Sequence, residues 1–216
     1  MGAVHEDDRL KLERVTFFSD AVFAIAITLL VIDLRLPEAA ERLTNGELID
    51  ELVALGPRYY GFLVSFVVIG LYWAGHHLTF GRFVRYDPGL PYVNLPLLFC
   101  IAFMPFPTAV LGEHFYLESA VIFYALWQVA TGCAASGLWL WATRDRRLVS
   151  SDVSDDWIRE RTWWGWVPAA AFLLSIPIAF VSPVLAQLAW WPAVAILTIV
   201  VVRRFERPAA IEASSI

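Results

Sequence analysis

The stretch Val15-Thr-Phe-Phe-Ser-Asp-Ala-Val-Phe-Ala-Ile-Ala-Ile-Thr-Leu-Leu-Val-Ile-Asp-Leu34, led in by Arg14, decides how the rest of the chain is read. At roughly 20 residues it makes about 30 Å of helix, enough to cross the hydrocarbon of a bilayer. Inside it lie Ser19, Asp20 and Thr28, at depths where an ionised side chain costs about 2.5–3.5 kcal/mol or more. A helix that only anchors has no use for them. Plotted at about 100° per residue with Ile25 at zero, Leu29 falls near 40°, Ile32 near −20°, Ala21 near −40° and Thr28 near −60°, a single stripe. On the same wheel Ser19 falls near 120° and Asp20 near 220°, so one helix presents two different faces.

Composition extends this reading to the whole chain. Apolar residues make up 59% and charged residues 17% of 216, and the mean hydropathy is +0.61. That exceeds what a soluble domain of this size needs for its core, so the expected class is an all-α integral membrane protein. The first 14 residues, with His5-Glu6-Asp7-Asp8 near the start, lack the basic, apolar, small-residue order of a cleaved signal, and the first helix is expected to stay. Cys100 and Cys133 both lie in apolar runs and set no redox compartment.

Beyond the first run, Pro37 is a stop, and Leu48, Leu52 and Leu55 after the cap residue Thr44 give a short surface helix. Further spans are expected at Arg58–Phe80, Pro91–Leu111, Leu117–Ala142, Trp163–Val181 and Pro183–Val202, six with the first. The organisation is thus residues 1–14 as an N-terminal segment, 15–202 as a six-helix transmembrane domain and 203–216 as a tail. Of the 16 Lys and Arg residues, all but Arg35, Arg42 and Arg58 fall on one side of such a bundle, which makes both termini cytoplasmic. Trp157, Trp163, Trp164 and Trp166 near a helix end read as an aromatic belt, and the 144–161 segment, with its Ser- and Asp-rich centre, as a cytoplasmic linker.

Depth then gathers the polar residues. Asp20 lies about 9 Å in from Arg14 at 1.5 Å per residue. His76 and His77 lie a similar distance above the end of the second span, and Asn94 sits slightly shallower on the third. Ser19, Asp20, His76, His77 and Asn94, with Arg14 at the rim, form one polar layer. Its readings are a network locking three helices, a proton-sensitive switch, or a metal site. Adjacent histidines diverge by about 100°, which argues against both facing one metal. No metal or other cofactor is expected, nucleic acid is not an expected partner, and the absence of nucleophile elbows, phosphate loops and dinucleotide glycine patterns argues against an enzyme. Glu113, His114 and Glu118, between the third and fourth spans, are either a solvated loop or a negative vestibule that attracts cations.

Arg14-x-x-x-Phe18-Ser19-Asp20-Ala21-x-x-x-Ile25-x-x-Thr28, with Trp73-x-x-His76-His77 and Leu111-Gly112-Glu113 further on, resembles the transmembrane protein 175 family of potassium-selective channels. Animal members have two six-helix repeats and bacterial ones a single repeat that assembles as a tetramer; this chain is similar to the bacterial form. The resemblance implies a homotetrameric, multi-pass potassium channel of the bacterial plasma (inner) membrane. It implies that helix one lines a central pore, that Ile25, Leu29 and Ile32 form its constrictions, and that Thr28 bears on selectivity. The Thr-Val-Gly-Tyr-Gly carbonyl filter is missing, so selection would work through rings of side chains. The alternatives are a proton-coupled secondary transporter using the Asp20 and histidine layer, or a non-conducting membrane scaffold.

Overall fold

Helices follow the apolar runs, but their ends are set by charge, caps and prolines. The computed structural model describes residues 6–36, 43–151 and 153–213, the side chains of 202 and of 204 onward excepted. Pro37, Arg42 and Asp152, and the side chains of Arg204 and Arg207, which entered the sequence reading, lie outside this description. Helix α1 (Glu6–Leu29) tightens into a 3-10 turn at Leu30–Asp33, and is followed by α2 (Asn45–Ala54), α3 (Gly56–Phe80), α4 (Leu90–Phe103), α5 (Pro105–Glu113) and α6 (Glu118–Thr143). After a 3-10 turn at Arg144–Arg146 come α7 (Asp155–Ala179), α8 (Pro183–Leu188) and α9 (Trp190–Ala213). Six of the described segments are long and apolar enough to span a membrane: α1 with its turn, α3, α4 with α5, α6, α7, and α8 with the first half of α9. The chain is an all-helical, multi-pass membrane protein.

Several boundaries differ from the sequence reading for local reasons. Helix α1 starts at Glu6 rather than Val15, because Glu6, Asp7 and Asp8 occupy its first turn, where carboxylates complement the helix dipole. Lys11 to Asp7 (2.6 Å) and Arg9 to Glu13 (3.0 Å) add pairs one turn apart. The third span breaks at Met104, ahead of Pro105, since a proline removes a backbone donor and crowds the preceding turn. Helix α7 begins at Asp155, not Trp163, because the Ser154 hydroxyl caps it by accepting from Trp157 N.

The segment read as a linker is docked. Leu148 and Val149 are buried, Val84 N donates to Leu148 O (2.9 Å), and Phe83 pairs with Val149 in a single antiparallel bridge. Two of the tryptophans assigned to a lipid belt are half-buried against the protein. Trp157 meets Trp139 edge to face at 5.7 Å and carries Arg82 over its ring, while Trp164 lines an internal cavity; Trp163 is exposed.

The surface helix expected after Thr44 forms as α2 with a full capping box: Thr44 N donates to Glu47 Oε2 (2.8 Å) and Glu47 N to Thr44 Oγ1 (3.4 Å). The bond from Thr44 N, with a second from the Thr44 hydroxyl to Glu47 Oε2 (2.7 Å), holds the Glu47 carboxyl below its ordinary value.

The spans enclose two apolar cores. One joins α1, α3, α4 and α6 around Phe23, Leu30, Ile69, Ile101 and Trp139. The other joins α3, α6, α7 and the α8–α9 pair around Val68, Tyr124, Phe172 and Trp190. Helices α6 and α7 pack closely at Gly132, where a Cβ would stand 2.9 Å from that of Ala169.

Candidate functional site

Helix α1 is the element on which the sequence placed most of its candidate residues, and its two faces have opposite surroundings. Phe23, Ala26 and Leu30 are each 1% exposed, and Ser19 is fully buried. Ile25, Leu29 and Ile32 are 59%, 38% and 44% exposed, and Ala21 and Thr28 are exposed beside them. The buried set falls at about 100–160° on the helical wheel and the exposed set at about −60 to 40°, so the stripe is one continuous surface of the single chain. The Thr28 hydroxyl donates to its own backbone at Ile25 O (2.8 Å), which leaves its oxygen lone pairs facing outward with the stripe.

On the buried face the polar layer resolves into a directed chain of hydrogen bonds. Ser19 Oγ donates to Val15 O (2.8 Å) and accepts from Asn94 Nδ2 (2.8 Å), and Asn94 Oδ1 lies 3.2 Å from His76 Nε2. With the amide nitrogen committed to Ser19, the amide oxygen must accept, so His76 Nε2 carries the proton. Ser19 on α1, Asn94 on α4 and His76 on α3 are all buried, and the chain ties three helices together within the apolar core.

Three members of the proposed layer sit elsewhere. Asp20, at the edge of the buried face, would by the sequence reading meet a histidine; in the structure Trp73 Nε1 donates to Asp20 Oδ1 (2.9 Å), from one turn before His76 and His77. Trp73 is exposed and Asp20 half-buried, both at the margin of the packing between α1 and α3. His77 is exposed and packs beside the Trp73 ring at 6.0 Å, diverging from His76 as successive helical positions must. Arg14 is exposed and joins none of these bonds. Among the described residues, no three His, Cys, Asp or Glu side chains gather as a metal-binding group.

The other end of α1 is held by a group that the sequence reading missed. Arg58, in the first turn of α3, directs Nη1 to Asp33 O and Arg35 O and Nη2 to Glu113 Oε1, each at 3.4 Å. The carbonyls at the end of the 3-10 turn are thereby tied to α3 and α5. Gly112 permits the approach, because a Cβ there would stand 3.0 Å from Arg58 Cα. This gives the Leu111-Gly112-Glu113 segment a physical reason: Leu111 is buried, Gly112 admits the α3 backbone and Glu113 meets its arginine. Glu113, His114 and Glu118 are all exposed, and Glu113 meets Arg58. A second buried cluster went unread as well. Thr108 Oγ1 donates to Met104 O (2.8 Å) and lies 2.7 Å from Ser65 Oγ, which in turn lies 2.9 Å from the Tyr124 hydroxyl. Hydroxyls inside apolar runs carry no spacing signal, and only the packing of α3, α5 and α6 brings them together.

Comparison with known proteins places this arrangement among relatives. The family described as endosomal/lysosomal potassium channel TMEM175 matches residues 14–105, which contain both the α1 stripe and the Ser19, Asn94 and His76 chain. A Streptomyces collinus protein named as a potassium channel is 37% identical over 173 residues, 78% of this chain and 82% of that one. A Chamaesiphon minutus protein, also named as a potassium channel, is 37% identical over 59% of this chain and 70% of its own length. The crystal structure of a lysosomal potassium-selective channel TMEM175 homolog from Chamaesiphon minutus superposes with a TM-score of 0.77 at 29% identity, covering 88% of this chain and 98% of that one.

Proposed function

The chain belongs to the TMEM175 family of potassium channels, and from that premise we propose how it conducts: four copies place the exposed stripe of α1 around a common axis, and potassium passes along it in preference to sodium. The observation that carries this is the stripe itself, an apolar row interrupted by the Thr28 hydroxyl on a helix whose opposite face is locked into the bundle. Two apolar cores pack the helices of one chain together, which favours a path between copies over one through a single chain. Closed symmetry makes a row from each subunit face its counterparts. Ile25, Leu29 and Ile32 then form successive narrow apolar rings that gate by excluding water, and Thr28 offers a ring of oxygens between them. Selection by side-chain rings rather than backbone carbonyls is part of this reading.

With six spans both chain ends lie on one side, and the Lys and Arg bias assigns that side to the cytoplasm of a bacterial plasma membrane. On this reading residues 15–202 are the channel proper, with the first turns of α1 and the last turns of α9 reaching into the aqueous phase. A coupled transporter with its site on α1 finds less support, because transporter sites are built on broken helices and α1, unlike the α4–α5 and α8–α9 spans, is unbroken and contains neither Gly nor Pro between Val15 and Leu34.

The test is purified protein in liposomes with a potassium gradient, followed by reversal potentials in planar bilayers. Potassium flux is expected without any coupled ion. Leu29→Ala and Ile25→Ala are expected to raise conductance or bring the potassium and sodium permeabilities closer together, since a shorter side chain widens an apolar neck. A flux that stalls unless protons move identifies a transporter, and unchanged conductance and selectivity in both variants removes the stripe from the pore.

A further inference from the structure

Two further rows of outward-facing residues flank the α1 stripe. Tyr59, Leu63, Phe66, Gly70, Trp73 and His77 recur at every third or fourth position of α3, all exposed but the half-buried Gly70. Tyr92, Leu95, Phe99 and Ala102 on α4, continued by Phe106 on α5, are exposed at the same spacing. Both rows border α1. The α3 row reaches it where Trp73 Nε1 donates to Asp20, and α4 reaches it one residue from Leu95, where Asn94 Nδ2 donates to Ser19. Ser19 and Asp20 lie about 100° apart on α1, so α3 and α4 stand on either side of its buried face and their rows on either side of its stripe.

Polar members decide what covers these flanks. A purely apolar row is at home in lipid, and Leu126, Ala130, Cys133, Gly137 and Leu140, the exposed row of α6, include no charged or histidine side chain. The α3 flank differs, because His77 is exposed and Asp20 half-buried there, both within the spans. Ionisable groups at such depths face protein or water rather than hydrocarbon. With the α1 stripe turned to a common axis, the α3 flank of each copy has to meet the opposite, α4 flank of the next, since contacts around a closed ring are heterologous.

We propose that the α3 row of one copy packs against the α4–α5 row of the next and forms the boundary between subunits, an inference that rests on the reading of α1 as the pore helix. Two bonds within the chain set its levels: His76 Nε2 with Asn94 Oδ1 (3.2 Å) and Thr108 Oγ1 with Ser65 Oγ (2.7 Å) tie α3 to α4 and to α5 at two depths. Copies related by an axis along the membrane normal share those depths, and helix rise is constant. Trp73 therefore opposes Phe99 of the next copy, Gly70 opposes Ala102, and Phe66 opposes Phe106. The small pair in the middle lets the helices approach, with an aromatic pair on either side of it.

The test is disulfide cross-linking of the full-length protein in membrane vesicles, in a Cys100→Ala, Cys133→Ala background. Gly70→Cys is tolerated by the single chain, since an added Cβ there meets no atom within 4 Å. Combined with Ala102→Cys and oxidised with copper phenanthroline, it is expected to give a ladder of bands up to a covalent tetramer that reduction returns to monomer, because Cα atoms about 4.4–6.8 Å apart can be bridged. Either substitution alone places one thiol at each boundary and is expected to give monomer. Phe66→Cys with Phe106→Cys replaces the pair if it is not recovered folded. Gly70→Cys with Ala130→Cys, on the α6 row, is expected to give no ladder. Dimers from Gly70→Cys alone reveal an α3-to-α3 contact and overturn the proposal, as do a ladder from the α6 pair and the absence of one from the facing pair. If that protein is nevertheless tetrameric by light scattering and conducts potassium, only the boundary is wrong; if it is monomeric, the conduction reading falls with it.

Discussion

Ile25 and Leu29 on one side of α1 and Phe23 and Leu30 on the other are the same kind of residue, yet the second pair is enclosed by α3 and α4 while the first is left to whatever meets a single chain from outside. Polarity separates the faces too. The buried face carries Ser19 with every bond assigned, whereas the exposed one carries Thr28, whose hydroxyl is turned to its own backbone. The contrast teaches that hydrophobicity in a membrane helix marks neither the packed nor the functional side. What distinguishes them is whether the polar residues of a face are bonded to other helices, as Ser19 is to Asn94 and Thr28 is not among the bonds of the described residues. If that division holds, changes on the buried face alter stability and leave permeation alone, and changes on the exposed face do the reverse.

The largest effects are expected at Asn94 and Leu30. Asn94→Leu leaves His76 Nε2–H buried without its acceptor, at about 1–3 kcal/mol, and takes from Ser19 Oγ the bond it accepts while its bond to Val15 O remains, at about 0.5–1.5 kcal/mol more, so a loss of a few kcal/mol should appear as a large drop in melting temperature. Leu30→Ala is of similar size, removing a side chain that is 1% exposed at about 2–5 kcal/mol. Because Leu30 is sequence neighbour to Leu29 but lies on the opposite face, the pair gives a crossed comparison: Leu30→Ala should lower the melting temperature with the reversal potential unchanged, and Leu29→Ala the converse. A Leu30→Ala protein that melts normally but loses selectivity would show that the two faces have been exchanged. Smaller is the effect of Gly112→Ala, where a Cβ 3.0 Å from Arg58 Cα forces α5 off α3 at about 1–3 kcal/mol. It should also loosen the end of α1, which hydrogen exchange at the amides of Leu30 to Leu34 would register.

Much of this organisation is legible in the sequence. Six spans, the short capped helix after Thr44 and the two faces of the first helix all follow from periodicity, length and one capping pair, because these are local properties. Ser19, His76 and Asn94 could be placed at one depth because helix rise is constant, and polar residues at one depth in a bundle seek each other. Depth, however, does not fix azimuth. The wheel placed Asp20 off the stripe but could not say that the α3 residue opposite it is Trp73, and an indole N–H draws no attention beside two histidines. Arg14 was put with the layer by proximity in sequence, although about five residues turn it well away from Ser19. The Arg58 clamp stayed hidden because it depends on a close approach of three segments far apart in the chain. Helix starts were set too late wherever charged residues lead a helix, as at Glu6 and Asp155, since an apolar threshold finds where a helix enters the membrane and not where it begins.

The smallest expected effect bears on the seam between the two faces. Asp20 lies at the edge of the buried set, accepting from a tryptophan that is itself 42% exposed. A hydrogen bond to a charged acceptor is worth about 1.5–3 kcal/mol when buried, and partial exposure reduces it, so Trp73→Phe, which keeps a ring and loses only the N–H, should cost about 1 kcal/mol. Asp20→Ala should cost a similar amount, and if the two act through each other the double substitution should cost less than the sum of the singles. Both variants are expected to keep the potassium over sodium reversal potential. Asp20 belongs to the packed face only if melting temperature responds and permeation does not. Should Asp20→Ala assemble and melt as the parent while its potassium over sodium permeability changes, the carboxylate faces the ions, Trp73 serves to aim it, and the boundary between the two faces of α1 moves to include it in the path.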